Sequence, residues 1–249
     1  MRKLKVSIIL PCYNNEKTIN KTINSIINQT YKNWELIIVD DNSEDKTDKI
    51  LKKYKINKKI KIYKLKKNKG AGYSRNYAIK KSNFSYLAFI DADDIWGKNK
   101  LKIQINFMVK NKYQFTYTHY KTFGNNKKTR LISVPNKFDF QSFIKNTSIA
   151  TSTMLIYKKI IKNINFPKTA ICEDYFFKCQ ILKKIDFAFC CPYFLTKYRI
   201  SKGSLQSNRF KNLFWMWQIN KNLNNFNILT NFISLFFISI NSLKKYGLK

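Results

Sequence analysis

Three aspartates stand within four positions directly after an apolar run, in the segment YLAFIDADD at residues 86–94. Residues two positions apart in an extended segment point to the same side, so Asp91 and Asp93 could face one divalent cation together. Mg²⁺ and Mn²⁺ prefer oxygen ligands and usually bind through one or two carboxylates plus the phosphates of a substrate. The segment therefore predicts a metal and phosphate site, with Asp94 as an alternative second ligand. The plainer interpretation is a loop of solvated acids that caps a helix beginning near Asn99.

Acidic residues are scarce in the rest of the chain, which makes their clustering informative. The 249 residues include 48 Lys and Arg against 14 Asp and Glu, a formal net charge of +34. A second acidic cluster, DDNSED, occupies residues 40–45. Lys recurs at positions without an evident task, which is typical of a solvated surface, but the same charge would attract phosphorylated substrates or anionic headgroups. Both interpretations of the charge stay open.

These clusters follow strands in a repeating pattern of strands and helices. We predict strands over residues 5–10, 34–40, 59–65 and 86–91, and helices over 16–29, 43–54 and 70–82. Pro11 is expected to end the first strand, and Ser43 to cap the second helix. Beyond residue 99 we predict helices over 99–110 and 173–184, strands over 114–120, 152–157 and 186–200, and an aromatic, helical tail from 209. This order implies an α/β fold whose parallel sheet is covered by helices on both faces.

Polar segments follow three of the predicted strands. They are PCYNNE after the first strand, DDNSED after the second and DADD after the fourth. The carboxyl ends of parallel strands meet at one edge of the sheet, where open α/β sheets bind their ligands. We therefore expect acids that are about 50 residues apart in sequence to be neighbours in space.

Cysteine usage and apolar run lengths argue against several other classes. Five cysteines, none in C-x-x-C spacing, and the single histidine His119 make a zinc site unexpected, and buried thiols in a reducing cytosol fit better. The N-terminal run VSIIL is too short for a signal peptide, and no run reaches the ~18 apolar residues of a membrane span. We therefore expect a cytoplasmic protein.

Three segments in the first hundred residues carry a family resemblance. They are VSIILPCYNNEKTINKTINSIINQTYKNWELIIVDDNSEDKT, NKGAGYSRNYAI and YLAFIDADD, with fainter echoes in ATSTMLIYKK (150–159) and AICEDYFF (170–177). This series resembles the family 2 glycosyltransferases, which have the GT-A fold. The resemblance implies an α/β, Rossmann-like, mostly parallel sheet with a C-terminal helical extension. It also implies a catalytic domain over 1–205, divided into a nucleotide-sugar half (1–100) and an acceptor half (101–205), and a helical tail over 206–249.

The resemblance implies roles for particular residues on the donor side. The nucleotide-sugar contacts would be Pro11, Tyr13, Glu16, Asp41, Arg75, Asp91 and Arg199. A tyrosine face can stack on a base and a carboxylate can accept from a ring N–H, so the first four suit base and ribose. Asp91 and Asp93, with Asp94 as the alternative, would hold Mn²⁺ or Mg²⁺. The donor would be a nucleotide sugar, with a UDP-sugar expected first.

The same resemblance implies a reaction and a general base. Asp174, supported by Glu173, would take the proton of an acceptor hydroxyl as it attacks the anomeric carbon with inversion. The alternative for both acids is that they only complement the dipole at a helix N-terminus. The acceptor would be a glycan or a lipid-linked glycan in bacterial surface polysaccharide or glycolipid assembly. The aromatic and basic tail could rest on an anionic membrane at the cytoplasmic face of the inner membrane, or simply pack on the catalytic domain.

Other classes explain parts of the sequence less well. A phospho-receiver domain also gathers strand-end acids around Mg²⁺, but a strand and a helix precede the acidic pair here and the chain is far longer. A nucleotidyltransferase would show a glycine-rich segment after the first strand, where this chain has PCYNN. A nucleic-acid binder needs basic residues on one face, whereas Lys is spread along the chain, so nucleic acid is not expected as a partner.

Overall fold

A single mixed sheet organises the chain in our computed structural model, which describes residues 4–124, 129–200 and 209–246. The strands are β1 (Val6–Cys12), β2 (Trp34–Asp40), β3 (Ile60–Lys64), β4 (Tyr86–Phe89), β5 (Ile95–Trp96), β6 (Phe115–Phe123), β7 (Arg130–Ile132), β8 (Lys137–Phe138), β9 (Leu155–Tyr157) and β10 (Ala188–Arg199). The helices are α1 (Ile19–Ile27), α2 (Thr47–Lys52), α3 (Ala71–Lys81), α4 (Lys100–Lys110), α5 (Phe140–Phe143), α6 (Glu173–Leu182), α7 (Arg209–Asn222) and α8 (Ile228–Tyr246). Short 3₁₀ turns cover Thr151–Thr153 and Lys158–Ile161.

The strand order explains where a ligand can bind. Along the sheet the order is β3-β2-β1-β4-β9-β6-β10-β5, with β7 beside β6 and β8 beside β10. Strands β1 to β4 pair in parallel, as do β6 and β10, and β9 runs antiparallel between β4 and β6. The short strands β5, β7 and β8 are also antiparallel to their neighbours. The chain moves outward from β1 to β3 and then returns to the other side of β1 with β4. The crevice beyond the carboxyl ends of β1 and β4 is therefore the switch point at which open α/β sheets bind ligands.

Helices cover the sheet on both faces and bury two apolar clusters. Strand β1 contributes to both clusters, because Ile8 and Leu10 point to one face and Ile9 to the other. All three side chains are completely buried, as expected for a central strand of a parallel sheet. The predicted α/β class, mostly parallel sheet and helical C-terminal extension are thus confirmed.

Two local expectations were wrong, one about the end of the first strand and one about the start of the second helix. Strand β1 continues through Pro11 to Cys12. Ile9 accepts from the Ile90 N–H on the β4 side, and Pro11 faces that same side beyond the last β1–β4 pair, so its missing N–H removes no ladder bond. Helix α2 begins at Thr47, not at Ser43, because Ser43 bonds back to the Asp40 carboxylate and stays in the loop.

The C-terminal helices α7 and α8 pack against α6 and the segment after α5 through buried polar contacts. The Tyr175 hydroxyl of α6 donates to Asn220 of α7 at 2.7 Å. Ser234 of α8 donates to the Ile144 carbonyl at 2.6 Å. None of the helices in the described ranges is long and apolar enough to cross a bilayer. The predicted boundary at residues 205 and 206 lies outside the described residues.

Candidate active site

The loops after β1 and β2 are tied to each other by hydrogen bonds. The Asn14 N–H donates to the Ser43 hydroxyl at 2.9 Å. Glu16 takes part twice, because its carboxylate accepts from the Lys46 N–H at 3.0 Å and its own N–H donates to Asp45 at 3.0 Å. The predicted ligand Glu16 therefore lies within this loop contact, and the acids of DDNSED hold the rim together.

Asp41 and Tyr13 lie at the rim formed by the ends of β1 and β2. The Asp41 carboxylate accepts from the backbone N–H groups of Lys69 at 2.8 Å and Gly70 at 2.7 Å, and its own N–H donates to the Cys12 carbonyl at 2.8 Å. Asp41 is 3% exposed, whereas Tyr13 is 41% exposed. Each carboxylate oxygen has a second lone pair, so Asp41 can hold the loop before α3 and still accept from a ligand. Pro11 is buried beneath this rim.

Arg75 links the acidic turn after β4 to the start of α6. Its guanidinium donates to Asp91 at 2.7 Å and to Glu173 at 2.6 Å. Burial alone would lower the pKa of Arg75, but the two carboxylates raise the pKa above its ordinary value, so the side chain stays charged. Gly72 permits this approach, because an added Cβ would lie 3.0 Å from Glu173 Cγ. Arg75 thus fixes one predicted metal ligand relative to one predicted catalytic acid.

The DADD segment forms a tight turn in which the three aspartates have different environments. The Asp94 N–H donates to the Asp91 carbonyl at 3.1 Å, and the Thr22 hydroxyl donates to the Asp94 carbonyl at 2.8 Å. Arg199 lies against the turn, where its N–H donates to the Asp94 carboxylate at 2.8 Å and its Nε to the Asp93 carbonyl at 3.0 Å. Asp94 is therefore built into the structure, while the Asp91 side chain is 30% exposed.

The charges of these aspartates bear on which of them could hold a cation. Burial, followed by the negative charge of Asp91, raises the pKa of Asp93 to about 6. Burial, then Asp93 and Asp91, raises the pKa of Asp94 well above its ordinary value, which favours a neutral acid. Two close carboxylates with mutual repulsion are a suitable donor set for Mg²⁺ or Mn²⁺. The part of the chain that the structure describes has no group of three or more His, Cys, Asp or Glu side chains that could hold a metal.

Asp174 occupies a separate, positively charged environment at the first turn of α6. Lys178, one turn later, donates to its carboxylate at 2.7 Å, and the Thr151 hydroxyl donates at 3.0 Å. Burial would raise the pKa of Asp174, but Lys178, then Arg75 and Thr151, lower it to about 2. Cys172, just before the helix, has a left-handed conformation (φ 60°), which is unusual for a residue with a side chain. Asp174 is thus held ionised and in a fixed orientation.

One cavity connects the predicted metal ligand with the predicted base. Its volume is about 130 Å³, and its lining includes Asp91, Tyr120, Asp174, Tyr175, Lys178 and Tyr198. Tyr13 and Asp41 do not line this cavity. They form a second group at the ends of β1 and β2, one strand away from Asp91. The predicted donor contacts Tyr13, Asp41 and Asp91 thus lie at one edge of the sheet in two groups.

Several residues of the site had no role in the sequence prediction. Lys178 could have been found, because a lysine four positions after an acid on a helix is the usual spacing of an ion pair. No sequence pattern predicts the contacts of Thr22, Thr151 and Ser152. Each of these hydroxyls bonds to an aspartate that is distant in sequence, so its role depends on the tertiary structure. Ser152 accepts from the Asp91 N–H at 2.9 Å. Residues 201–204, the last four of the segment YRISKGS (198–204), lie outside the described residues.

Comparison with known proteins decides the family. The model of glycosyl transferase family 2 matches residues 7–187. The chain belongs to glycosyltransferase family 2. It is similar to the Escherichia coli protein WfgD, named as a UDP-Glc:α-D-GlcNAc-diphosphoundecaprenol β-1,3-glucosyltransferase, with 37% identity over 86% of this chain and 84% of WfgD. It is also similar to the putative teichuronic acid biosynthesis glycosyltransferase TuaG of Bacillus subtilis, with 34% identity over 83% of each chain.

Solved glycosyltransferase structures share the fold. The S. aureus protein TarS in complex with UDP-GlcNAc superposes with a TM-score of 0.77 and 22% identity, over 97% of this chain and 73% of that one. The mannosyltransferase PcManGT of Pyrobaculum calidifontis, in complex with GDP-Man and Mn²⁺, gives a TM-score of 0.71 and 15% identity, over 99% and 72%. The GT-A fold is therefore confirmed, and the family 2 enzyme is a nucleotide-sugar-dependent glycosyltransferase, in preference to a receiver domain, a nucleotidyltransferase or a nucleic-acid binder.

Proposed function

We propose that this glycosyltransferase moves a sugar from a UDP-sugar to a hydroxyl of a lipid-linked glycan, with inversion and with help from a divalent cation. The observation that carries the proposal is that Asp91 and Asp174 line one cavity and that Arg75 joins Asp91 to the start of α6. A sugar bound in this cavity would therefore lie between the site for the donor's diphosphate at Asp91 and the candidate base Asp174. The names of WfgD and TuaG support bacterial surface polysaccharide assembly as the setting.

The donor side would use the two groups at the sheet edge. Tyr13, with Pro11 beneath it, would stack on the base, and Asp41 and Glu16 would accept from ring N–H and ribose hydroxyl groups. Arg75 and Arg199 would bring positive charge towards the phosphates. A Mg²⁺ or Mn²⁺ ion held by Asp91 and Asp93 would neutralise the charge that develops on the departing diphosphate. Asp94 would position the turn, since its carboxyl is completely buried against Arg199.

The acceptor side would use Asp174 as the proton acceptor. The acceptor oxygen forms a bond to the anomeric carbon while the bond from that carbon to the phosphate oxygen breaks, and the nucleoside diphosphate leaves with the electron pair. The proton of the attacking hydroxyl passes to Asp174. Lys178 and Thr151 hold this carboxylate ionised and oriented. Glu173 is already engaged by Arg75 and would position α6.

Lipid-linked acceptors place the enzyme at a membrane. WfgD is named for an acceptor on diphosphoundecaprenol, and a similar acceptor here would be embedded in the bilayer. We propose that the enzyme works at the cytoplasmic face of the inner membrane, held there by its positive charge. The net charge of +34 supports attraction to anionic headgroups.

A donor and acceptor screen tests this proposal. UDP-, GDP- and dTDP-sugars would be incubated with Mn²⁺, Mg²⁺ or EDTA, with and without an acceptor that carries GlcNAc on a short-chain lipid diphosphate. We expect metal-dependent release of UDP that rises when the acceptor is present, and an inverted linkage in the product by NMR. Transfer that is unaffected by EDTA would contradict the role of a divalent cation. A product with retained anomeric configuration would contradict inversion. Turnover of a GDP- or dTDP-sugar, with no turnover of any UDP-sugar, would contradict the proposed donor.

A further inference from the structure

Helix α8 buries two polar residues together with Ile238 and turns most of its large apolar residues outward. Asn231 and Ser234 are 1% and 0% exposed. Phe232 and Phe236, on the other side of the same helix, are 61% and 62% exposed. A surface helix in water normally buries its apolar stripe and exposes its polar residues. The reversed arrangement indicates that water is not the medium that this outer side meets in the working enzyme.

The reversed orientation is held by specific buried contacts. Asn220 of α7 donates to Asn231 at 3.0 Å, and Ser234 donates to the Ile144 carbonyl at 2.6 Å. Asn241 of α8 adds an exposed contact, in which its side chain donates to the Lys145 carbonyl at 3.0 Å. Rotating α8 to bury its phenylalanines would break these bonds and leave buried polar groups without partners, at about 1–3 kcal/mol each. The apolar side is therefore kept outward by the fold.

Helix α7 extends the same apolar surface. Phe210 and Phe214 are 86% and 57% exposed. The Trp217 ring of α7 meets the Phe232 ring of α8 with centroids 5.0 Å apart, so the two exposed sides join. Exposed large apolar residues of the two helices and the turn between them are Phe210, Phe214, Leu223, Ile228, Leu229, Phe232, Ile233, Phe236, Phe237 and Leu243. We call this set the hairpin face.

Charge favours an anionic lipid surface over a second copy of the chain as the partner of the hairpin face. Residues 209–246 contain Arg209, Lys211, Lys221, Lys244 and Lys245 and no acidic residue. Lys145 also reaches the face, with its ammonium 5.9 Å from the Phe237 ring centre. A symmetric pair of copies would bring like charges together, which opposes association, whereas anionic headgroups attract each lysine near the surface by about 1 kcal/mol.

Helix α7 separates the hairpin face from the cavity of the active site. Asn212 and Met216 line the cavity, and Phe210 and Phe214 are offset from them by two positions, on the opposite side of the helix. The cavity and the apolar surface are thus about one helix diameter apart, roughly 10–12 Å. An acceptor whose lipid lies in the bilayer and whose sugar extends from it could reach the cavity across this distance.

We propose that the hairpin face lies on an anionic bilayer, with Phe232 and Phe236 among the acyl chains, so that the cavity receives its acceptor from that surface. The inference rests on the proposed function for its lipid-linked acceptor, and it assigns the membrane contact to particular residues. It makes α7 and α8 an interfacial element that lies on the membrane, since neither helix spans it.

Vesicle co-sedimentation of the full chain tests the assignment. The vesicles contain equal parts of phosphatidylglycerol and phosphatidylcholine, or phosphatidylcholine alone, at physiological salt. We expect binding to the anionic vesicles and a ~10-fold or greater loss of partitioning in the double variant Phe232→Ser/Phe236→Ser, because two large apolar side chains no longer leave water. The matched control Ile56→Ser/Leu131→Ser removes apolar residues that are 90% and 60% exposed outside the hairpin, and its binding should be unchanged.

The outcomes separate this inference from the proposed function. UDP release with a water-soluble acceptor should be equal in the wild type and the hairpin variant, whereas transfer to acceptor in vesicles should fall with binding. The membrane assignment is overturned if the wild type does not bind anionic vesicles, or if the hairpin variant binds them as well as the wild type. Neither result would contradict the proposed glycosyl transfer. If the wild type does not bind vesicles but is a dimer in light scattering, and the Phe232→Ser/Phe236→Ser variant is a monomer, the hairpin face contacts a second copy of the chain. Failure of UDP release with every acceptor would instead overturn the proposed function.

Discussion

Arg75 and Glu173 form an ion pair with a 2.6 Å contact although 98 residues separate them in the chain. The pair joins α3 to the start of α6. Because Arg75 also bonds to Asp91, movement at either end of this bridge changes the distance between the predicted metal ligand and the predicted base. One guanidinium therefore positions the predicted metal ligand Asp91 relative to the start of α6.

Replacing Glu173 with Gln should weaken both folding and transfer. The variant keeps the shape of the side chain but leaves the buried Arg75 with one charged partner in place of two, and hydrogen bonds to charged groups contribute about 1.5–3 kcal/mol. We expect a loss of stability of that order in urea unfolding and a lower kcat. The control is Glu44→Gln, at an exposed position, which should match the wild type. Equal unfolding curves for the two variants would contradict the bridge.

Replacing Asp174 with Asn should separate binding from chemistry. Asn cannot take a proton, so we expect the donor dissociation constant to stay unchanged while kcat falls by about 10²–10⁴-fold. Calorimetry with UDP and single-turnover transfer measure the two quantities. Asp186→Asn, at an exposed position beyond α6, is the matched control. If the Asp174→Asn enzyme transfers sugar at the normal rate, another group is the base.

The two neighbouring aspartates of DADD should behave differently. Asp93→Asn should abolish Mn²⁺-dependent binding of UDP and leave the melting temperature close to that of the wild type. Asp94→Ala should retain the metal dependence but lower stability, because it removes the buried carboxyl oxygen that accepts from the Arg199 N–H. Calorimetry with and without EDTA, together with thermal unfolding, distinguishes the two. The reverse pattern would make Asp94 the second ligand.

Removing the charge of Lys178 should change the pH dependence of catalysis. Burial raises the pKa of Asp174 and Lys178 is the main group that lowers it to about 2, so Lys178→Met should raise this pKa. The proton acceptor would then be lost at higher pH, and the acidic limb of the kcat profile should move upward. Lys184→Met, just beyond α6 at an exposed position, should leave the profile unchanged. Superimposable profiles for all three enzymes would show that Asp174 does not limit the rate.

Stability should rise with pH because of Lys100 at the start of α4. The side chain is completely buried with its ammonium 3.9 Å from the Trp96 ring centre, and burial lowers its pKa from 10.5 to about 7. Between these values the unfolded chain binds the proton and the folded chain does not, so the free energy of unfolding increases with pH.

Lys100→Met should therefore stabilise the enzyme at pH 6, where the folded wild type must keep a buried charge. The expected gain is on the order of a few kcal/mol, since one pKa unit corresponds to about 1.4 kcal/mol. The slope of stability between pH 7 and 10 should also flatten. Urea unfolding at several pH values measures both, with the exposed Lys102→Met of the same helix as control. A variant that is less stable than the wild type at pH 6 would contradict the prediction.

The parallel part of the fold could be predicted from sequence because its signals are local. The runs at β1 and β2 are continuous and apolar, as buried parallel strands require, and α1 carries its isoleucines at helical spacing. The hydrogen bonds that Ser43 and Glu16 form between the loops after β1 and β2 could not be predicted, because each depends on a partner from the other loop. The extension of β1 through Pro11 depends likewise on where β4 ends.

The sequence by itself determined the family, the α/β class and the positions of the acids, because strand periodicity and motif spacing are properties of short segments. Only the tertiary structure decided that Arg75 joins Asp91 to Glu173 and that Lys178 and Thr151 surround Asp174. It also decided which side of α8 faces outward. Asn231 and Ser234 find buried hydrogen-bond partners on α7 and at Ile144, and such partners exist only once distant segments have packed together.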